Sequence, residues 1–535
     1  MNEKPVDKMN IAYRKPKRIF EKSGIVDPDT SYYVVLENVV NSDNQDIPTM
    51  VDLGRYFSIF APRQSGKTTY LEWISEQLHR DSTYVAILLS FQDYSDLDKA
   101  GFYAAIQIDL YKQLVNRLKE VHCEKTEAVQ NLLNQYQLVD NISFRLLFEE
   151  LNQLLQFKKI VIFIDEFDGI PLNELGNFLT SLRELYLRYK KIKQKALYSV
   201  GLIGIRNITK LIVGGVSPFN IADHVDLPRF SLQNIQDLYA QYTEETNQPF
   251  TEAAVKKVYE ETAGQPWLVN RLGTILTVKI KPGTVEPIDE KDVEKAIQLL
   301  LKEKNAHFDN LYEKAKLYKE TFVEIIFDNV EYYPDNEDQS WLEQYGLITE
   351  KNGKATVTNN IYKTRYIKTF FREIEVPPEI SFNLYTLPGD QLDIERILME
   401  FSRYIAQIGV RAFYQGDKPY EKTGQFLLTA WLFPFSKEGD LRYEVHSGLG
   451  RMDILLNYKR RRYIIETKVN RNDDITIILE DGINQMTGQY MPSESVDEGY
   501  LVIFDTRKRV GSACKPEYYQ VGNKKVTGFN IAIGR

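Results

Sequence analysis

The chain has 535 residues, 43% hydrophobic and 12% aromatic, with a net charge of −8, five histidines and two cysteines. That size allows roughly two to four domains with sizeable cores, and the composition excludes a disordered chain. The acidic balance gives no global attraction to nucleic acid. Cys123 and Cys514 cannot build a disulfide framework, so a cytoplasmic, reducing setting is expected, and the scattered histidines offer no zinc spacing.

Residues 1–20 carry positive charge without the apolar segment of a signal peptide. No run of about 18 apolar residues marks a membrane span, so no membrane partner is expected. Basic clusters at 13–18 (YRKPKR) and 459–462 (KRRR) are either solvated surface or local nucleic-acid contacts. Tyr56–Pro62 reads as a buried strand entering a loop, followed by an amphipathic helix over 68–80. Further buried strands are predicted at 84–91, 159–168 and 209–218, with helical periodicity over 101–157. Short apolar strands separated by helices predict an α/β, mostly parallel sheet.

The pattern then turns helical to about residue 300. Residues 339–371 read as helix, strand, Asn352-Gly353 hairpin turn, strand and helix, a winged-helix pattern. Its presumed recognition helix, SWLEQYG, has no arginine or lysine to offer bases. Three prolines in 375–390 suggest a linker, and a further α/β unit runs from Leu392. The expected organisation is a lead-in (1–30), a nucleotide-binding core (31–232), a helical lid (233–300), a winged-helix-like domain (301–374), a linker (375–391) and a C-terminal domain (392–535).

APRQSGKTT (61–69) nearly matches the phosphate-binding P-loop, with Ala61 in place of the first glycine. Backbone N–H groups across Gln64, Ser65, Gly66 and Thr69, with the following helix N-terminus, would cradle phosphates. Lys67 would reach the β- and γ-phosphates of ATP, and Thr68 would ligate Mg²⁺. Strand 160–166, IVIFIDE, ends in Asp165 and Glu166, placed to hold the magnesium and to polarise the attacking water. These stretches, with the lead-in 20–34, LIVGGVSPF (211–219) and ETAGQPWLVNRLG (261–273), resemble AAA-like ATPases of the STAND type. The resemblance implies a nucleotide-controlled switch in which Pro266 of Gly-Gln-Pro lies against the nucleotide; a helix-capping turn is the plainer alternative. Arg229 is either a sensor or, more simply, a surface arginine. The family allows a homo-oligomer without fixing its size.

A second constellation lies in GRMDILLNYKRRRYIIETKV (450–469). A hairpin turning at Lys459-Arg460 sets Asp453 opposite Glu466, with Lys468 on the same face. Facing carboxylates repel unless a divalent cation lies between them, and a lysine beside it can activate water or stabilise a pentacovalent phosphate. Asp453 with Glu466-x-Lys468 resembles the PD-(D/E)XK nuclease superfamily, which has a restriction-endonuclease-like fold. By that resemblance Glu421 joins Asp453 and Glu466 at Mg²⁺ or Mn²⁺, and Gln485 matches a helix glutamine. The usual companion tyrosine is replaced by Gln489, with Tyr490 next to it. His446 and Glu444 read as ordinary strand residues.

Domain order resembles nuclease-like domains fused to AAA-like ATPases in bacteria. The combination implies an ATPase whose nucleotide state gates cleavage of nucleic acid, with DNA the first expectation and RNA left open, in defence against phage or other foreign DNA. The competing reading is a nucleotide-dependent signalling switch whose C-terminal domain only binds nucleic acid or a partner. A helicase-type motor is poorer, since no second motor core is found.

Overall fold

The computed structural model describes residues 12–534 apart from 157, 193–196, 206–219, 328–329, 374–384, 409–413, 416–417, 420, 433–434, 436–438, 448–449, 472–473, 510 and 512–513. Two compact units result: Met1–Phe322 with Val330–Arg365, and Val323–Asn329 with Tyr366–Arg535. Among the described residues no helix is long and apolar enough to cross a membrane. Cys123 and Cys514 are free thiols.

The first unit is built on β1 (Tyr56–Phe60), β2 (Tyr84–Ser90), β3 (Lys159–Asp165), β4 (Ser199–Gly204) and β5 (Ala222–Val225). They form one sheet in the order β2-β3-β4-β1-β5, every pair parallel. Both faces are covered, so the strands read as continuous apolar runs rather than alternating ones. Ile160, Ile162 and Ile164 of β3 face a core shared with Phe102, Phe144, Phe148 and Phe178 from helices within residues 99–192. Val161 and Phe163 point the other way, the Phe163 ring lying 6.0 Å from Phe57. Helix starts follow their caps: Asp98, Asp140, Ser231 and Thr251 each accept an N–H of the first turn.

The expected strand at 209–218 lies outside the described residues. The strand between β1 and β3 is β4, SVGLIG, which sequence reading passed over. Its glycines break the apolar run for a packing reason. A Cβ on Gly201 would stand 2.7 Å from the Phe57 ring and 3.0 Å from that of Phe163, so only glycine lets both rings pack over the central strand.

Helices Leu232–Thr246, Glu252–Thr262, Pro266–Ile275 and Glu290–Leu300 occupy the predicted lid. The cluster at 13–18 is committed to the first of them. Arg14 donates to the Glu244 carbonyl (2.5 Å) and to Asn247 Oδ1 (2.9 Å), and Arg18 faces Glu245 at 3.6 Å. Arg18 also lies 4.9 Å from the Tyr32 ring centre, so these cations tie down the N-terminal arm. Helix Glu337–Gln344, β6 (Ile348–Lys351), β7 (Lys354–Val357) and helix Asn360–Glu373 follow in the expected order. Asn352 and Gly353 turn the hairpin with φ of 55° and 76°.

In the second unit, β8 (Thr386–Leu387) pairs with β9 (Gln391–Leu392), and β10 (Tyr414–Gln415) with β11 (Lys418–Pro419). A larger mixed sheet contains β12 (Gly439–Ser447), β13 (Gly450–Tyr458), β14 (Arg461–Asn470), β15 (Glu498–Arg509), β16 (Pro516–Val521) and β17 (Lys524–Gly534), in the order β12-β13-β14-β15-β17-β16. β13 and β14 are antiparallel, whereas β14, β15 and β17 are parallel. Helix Thr476–Gln485 and the turn Met486–Tyr490 cover one face, burying Met486 and Tyr490 against Leu501 and Ile503.

Candidate functional site

β1 delivers the chain into residues 61–66, and helix Lys67–His79 begins at Gly66, whose φ of 91° no side chain could share cheaply. Gly66 supplies no capping side chain, so the first-turn N–H groups are left for the loop hollow. Lys67 is 6% exposed and donates to the carbonyls of Ala61 and Pro62, both at 2.8 Å. Burial lowers its pKa, against the opposing pull of Glu166 and Asp165. The Ser65 hydroxyl is buried without a hydrogen-bond partner. A spare hydroxyl, a buried ammonium and uncapped helix N–H groups together suit an anion.

The acids arrive on β3. Asp165, 4% exposed, accepts from Thr68 Oγ1 at 2.5 Å and from the Glu166 N–H at 2.8 Å. Glu166 adopts the left-handed conformation, φ 48°, as the chain leaves the sheet. Thr68 and Asp165 are thus brought together at the edge of the loop.

Sequence reasoning missed the partly open cavity beside this loop. Val26, Tyr33 and Leu36 of the N-terminal arm line it together with Gly66, Thr69, Tyr70, Pro266 and Asn270. Pro266 lines this cavity from the start of its helix. Gln265 caps that helix through Leu268 N (2.7 Å) and donates to the Gln64 carbonyl (3.2 Å). No local motif announces a pocket whose walls are more than 200 residues apart.

Gln64, with φ 57°, is also held from outside the core. Its Oε1 lies 2.5 Å from His307 Nδ1, and His307 Nε2 lies 2.7 Å from the Tyr362 hydroxyl. An amide oxygen can only accept, so Nδ1 carries the proton and Tyr362 donates to Nε2. Trp267 stacks on the imidazole at 4.2 Å. Burial pushes the His307 pKa down to about 3, keeping it neutral. Pro62 packs on Gly346, where a Cβ would come within 2.6 Å of the proline ring. Arg229 is half-buried rather than on the surface; burial lowers its pKa, partly offset by Tyr362 and Glu343.

In the second unit the hairpin turns at Lys459, φ 52°. The ladder runs from Tyr458↔Arg461 to Ile454↔Ile465, the register expected from the sequence. One step further it stops. Thr467 gives its N–H (2.8 Å) and its hydroxyl (2.7 Å) to Asp453 Oδ2 instead. Glu466 is 2% exposed and its Oε2 has no hydrogen-bond partner. Burial first, and then the Asp453 charge, raise its pKa to about 8, with Lys468 opposing. Lys468 Nζ lies 3.1 Å from Glu466 Oε1, 3.7 Å from Asp481 Oδ2 and 2.7 Å from Gln485 Oε1.

Asp453, Glu466, Lys468 and Gln485 are therefore neighbours, and an orphaned carboxylate oxygen beside a second acid suits a cation. Glu421 opens helix Glu421–Leu432, but its side chain lies outside the described residues, as do those of His446 and Glu444. Among the described residues no group of three or more His, Cys, Asp or Glu is arranged as a metal site. Tyr490 is fully buried in the core, so it does not replace the tyrosine missing at Gln489. In the 459–462 cluster, Lys459 pairs with Asp390 (2.5 Å) and Arg462 with Glu494 (2.9 Å).

No curated protein matches the chain. Among solved structures, the Walker-type ATPase PABY2304 of Pyrococcus abyssi is similar at 12% identity and TM-score 0.43, covering 58% of this chain and 90% of that one. The Thermotoga maritima RuvB Holliday junction branch migration motor aligns at 16% identity and TM-score 0.32, covering 62% and 97%. Cdc6p from Pyrobaculum aerophilum aligns at 12% and 0.31, covering 59% and 88%. A domain of unknown function (DUF8371) matches residues 392–508. The AAA-like domain matches residues 21–369, well over half of the chain. With the parallel sheet, the phosphate loop and the Asp165–Thr68 contact already in place, the chain belongs to the AAA-like domain family and carries an ATP-binding P-loop ATPase domain.

Proposed function

We propose that ATP binding and hydrolysis in the first unit gate metal-dependent phosphodiester cleavage of nucleic acid, DNA in the first instance, by the second. At the nucleotide site Lys67 anchors the β- and γ-phosphates, and Gln64, Ser65, Gly66 and Thr69 surround them. Thr68 and Asp165 hold magnesium, Glu166 orients the attacking water, and Pro266 closes on the nucleoside. The helical lid and the helix–hairpin–helix segment, read as a winged helix, move with nucleotide state.

The observation that carries the nuclease reading is the buried, unpartnered Glu466 Oε2 next to Asp453 and Lys468. A domain built only for binding has no use for two repelling acids there. Asp453 and Glu466, with Glu421, are the residues to hold Mg²⁺ or Mn²⁺. The bound cation would stabilise charge developing on the phosphodiester. Lys468, steered by Gln485, faces the reacting phosphate and its water. The family resemblance supports a place in defence against foreign DNA and a homo-oligomeric assembly.

The test challenges plasmid, single-stranded DNA and RNA with Mg²⁺ or Mn²⁺, with and without ATP. The wild type should cleave and Asp453→Ala should not. Equal cleavage by both proteins removes the nuclease assignment, and cleavage of nothing favours a switch that only binds.

A further inference from the structure

We propose that Asn270 makes this site selective for adenine nucleotides by accepting a hydrogen bond from the exocyclic amine of the base. The inference rests on the ATP-binding reading of the same site and adds the residue that chooses among nucleotides.

Asn270 is 7% exposed and lines the cavity next to the phosphate loop. Its Nδ2 donates to the Pro266 carbonyl, one turn back, at 2.9 Å. Only the amide nitrogen can make that bond, so the orientation of the amide is settled by its partner. Oδ1 is consequently turned away, and it is buried with no hydrogen-bond partner. The neighbouring lining is largely apolar, including Val26, Val34, Leu36, Phe230 and Leu238. A lone acceptor in such surroundings is costly unless something brings it a donor.

A molecule that fills the cavity would also reach Gly66 and Thr69, since both line it. A nucleotide with its base in the cavity and its phosphates over the loop meets that condition. Adenine offers an N–H donor at its six-position, whereas guanine offers an oxygen there, setting acceptor against acceptor. The amide is also held in place relative to the loop. Gln265 caps the Asn270 helix and bonds Gln64, while Trp267 Nε1 donates to the Lys22 carbonyl at 2.9 Å. Those anchors make Asn270 a fixed reader.

Competition against a fluorescent ATP analogue tests this with the full-length protein, using ATP, GTP and purine riboside triphosphate, which lacks the amine. Wild type should bind ATP about tenfold more tightly than either competitor, the worth of one neutral hydrogen bond. In Asn270→Leu the three should fall within about threefold of one another. Equal binding of ATP and purine riboside triphosphate by wild type overturns the proposal, and that arm needs no variant to fold. An unchanged ATP preference in Asn270→Leu, with a wild-type thermal midpoint, overturns it too. Lys67→Ala separates the two levels. If it binds ATP undiminished, the nucleotide-site reading fails; if it loses ATP while base preference ignores Asn270, only the present inference fails.

Discussion

The two sites use the same kinds of side chain, an acid on a strand and a nearby lysine, yet they are unsatisfied in opposite senses. At the phosphate loop the acid is fully engaged, with Asp165 accepting from Thr68 and from Glu166 N–H. What is spare there is donor capacity: the Ser65 hydroxyl and the uncapped helix N–H groups. At the β13–β14 hairpin the lysine is engaged with Glu466 and Gln485, and what is spare is a carboxylate oxygen. Spare donors call for an anion and spare acceptors for a cation. The charge of the ligand that would suit each site can thus be read from which atoms lack partners, more directly than from residue types.

The strongest way to break that contrast is a crossed experiment. Lys67→Ala should lower ATP hydrolysis at least about 100-fold and abolish stabilisation by ATP, leaving stabilisation by Mn²⁺ intact. Glu466→Gln should do the reverse. Each ligand at a hundredfold excess over its Kd should contribute about 2.7 kcal/mol, read as a shift in thermal midpoint. Loss of both shifts in either variant would mean that the sites are not independent ligand sites.

A smaller effect concerns pH. His307 is held neutral in the fold with a pKa of about 3, against about 6.5 when unfolded. The unfolded chain therefore takes up a proton first, and stability falls as pH drops from about 6.5 towards 3. By pH 5 the cost is about 2 kcal/mol. His307→Gln should flatten this part of the stability curve between pH 7 and 5; an unaltered slope would show that the imidazole titrates normally. Ser65→Ala should weaken ATP about fivefold, the scale of one modest hydrogen bond, without lowering the stability of the nucleotide-free protein. The smallest change is expected for Arg18→Ala, about 0.5–1 kcal/mol, since a half-exposed ion pair contributes little.

What could be read from the sequence was whatever is contiguous in it. Residues 61–69 and 159–166 each carry their chemistry in one linear stretch, and the hairpin register followed from a single turn at Lys459. β4 escaped because Gly201 makes room for two phenylalanine rings, which in sequence looks like a broken apolar run. The contacts of Gln64 with His307, and of the N-terminal arm with the Asn270 helix, join residues more than 200 positions apart. Periodicity carries no trace of such pairings. The cluster at 13–18 was ambiguous for a related reason: its partner carboxylate, Glu245, lies on a distant helix.

The N-terminal arm has a consequence for how the protein is made. Arg14 finds its acceptors on Glu244 and Asn247, 230 and 233 residues later in the chain. At a synthesis rate of about 5–20 residues per second, the arm waits on the order of tens of seconds for them to emerge. Phe20, 5% exposed in the finished fold, lacks its packing partners Tyr239 and Tyr242 throughout that interval. The arm is therefore made well before the helix that locks it in place, and the cavity it lines is complete only once the chain has been made through Asn270.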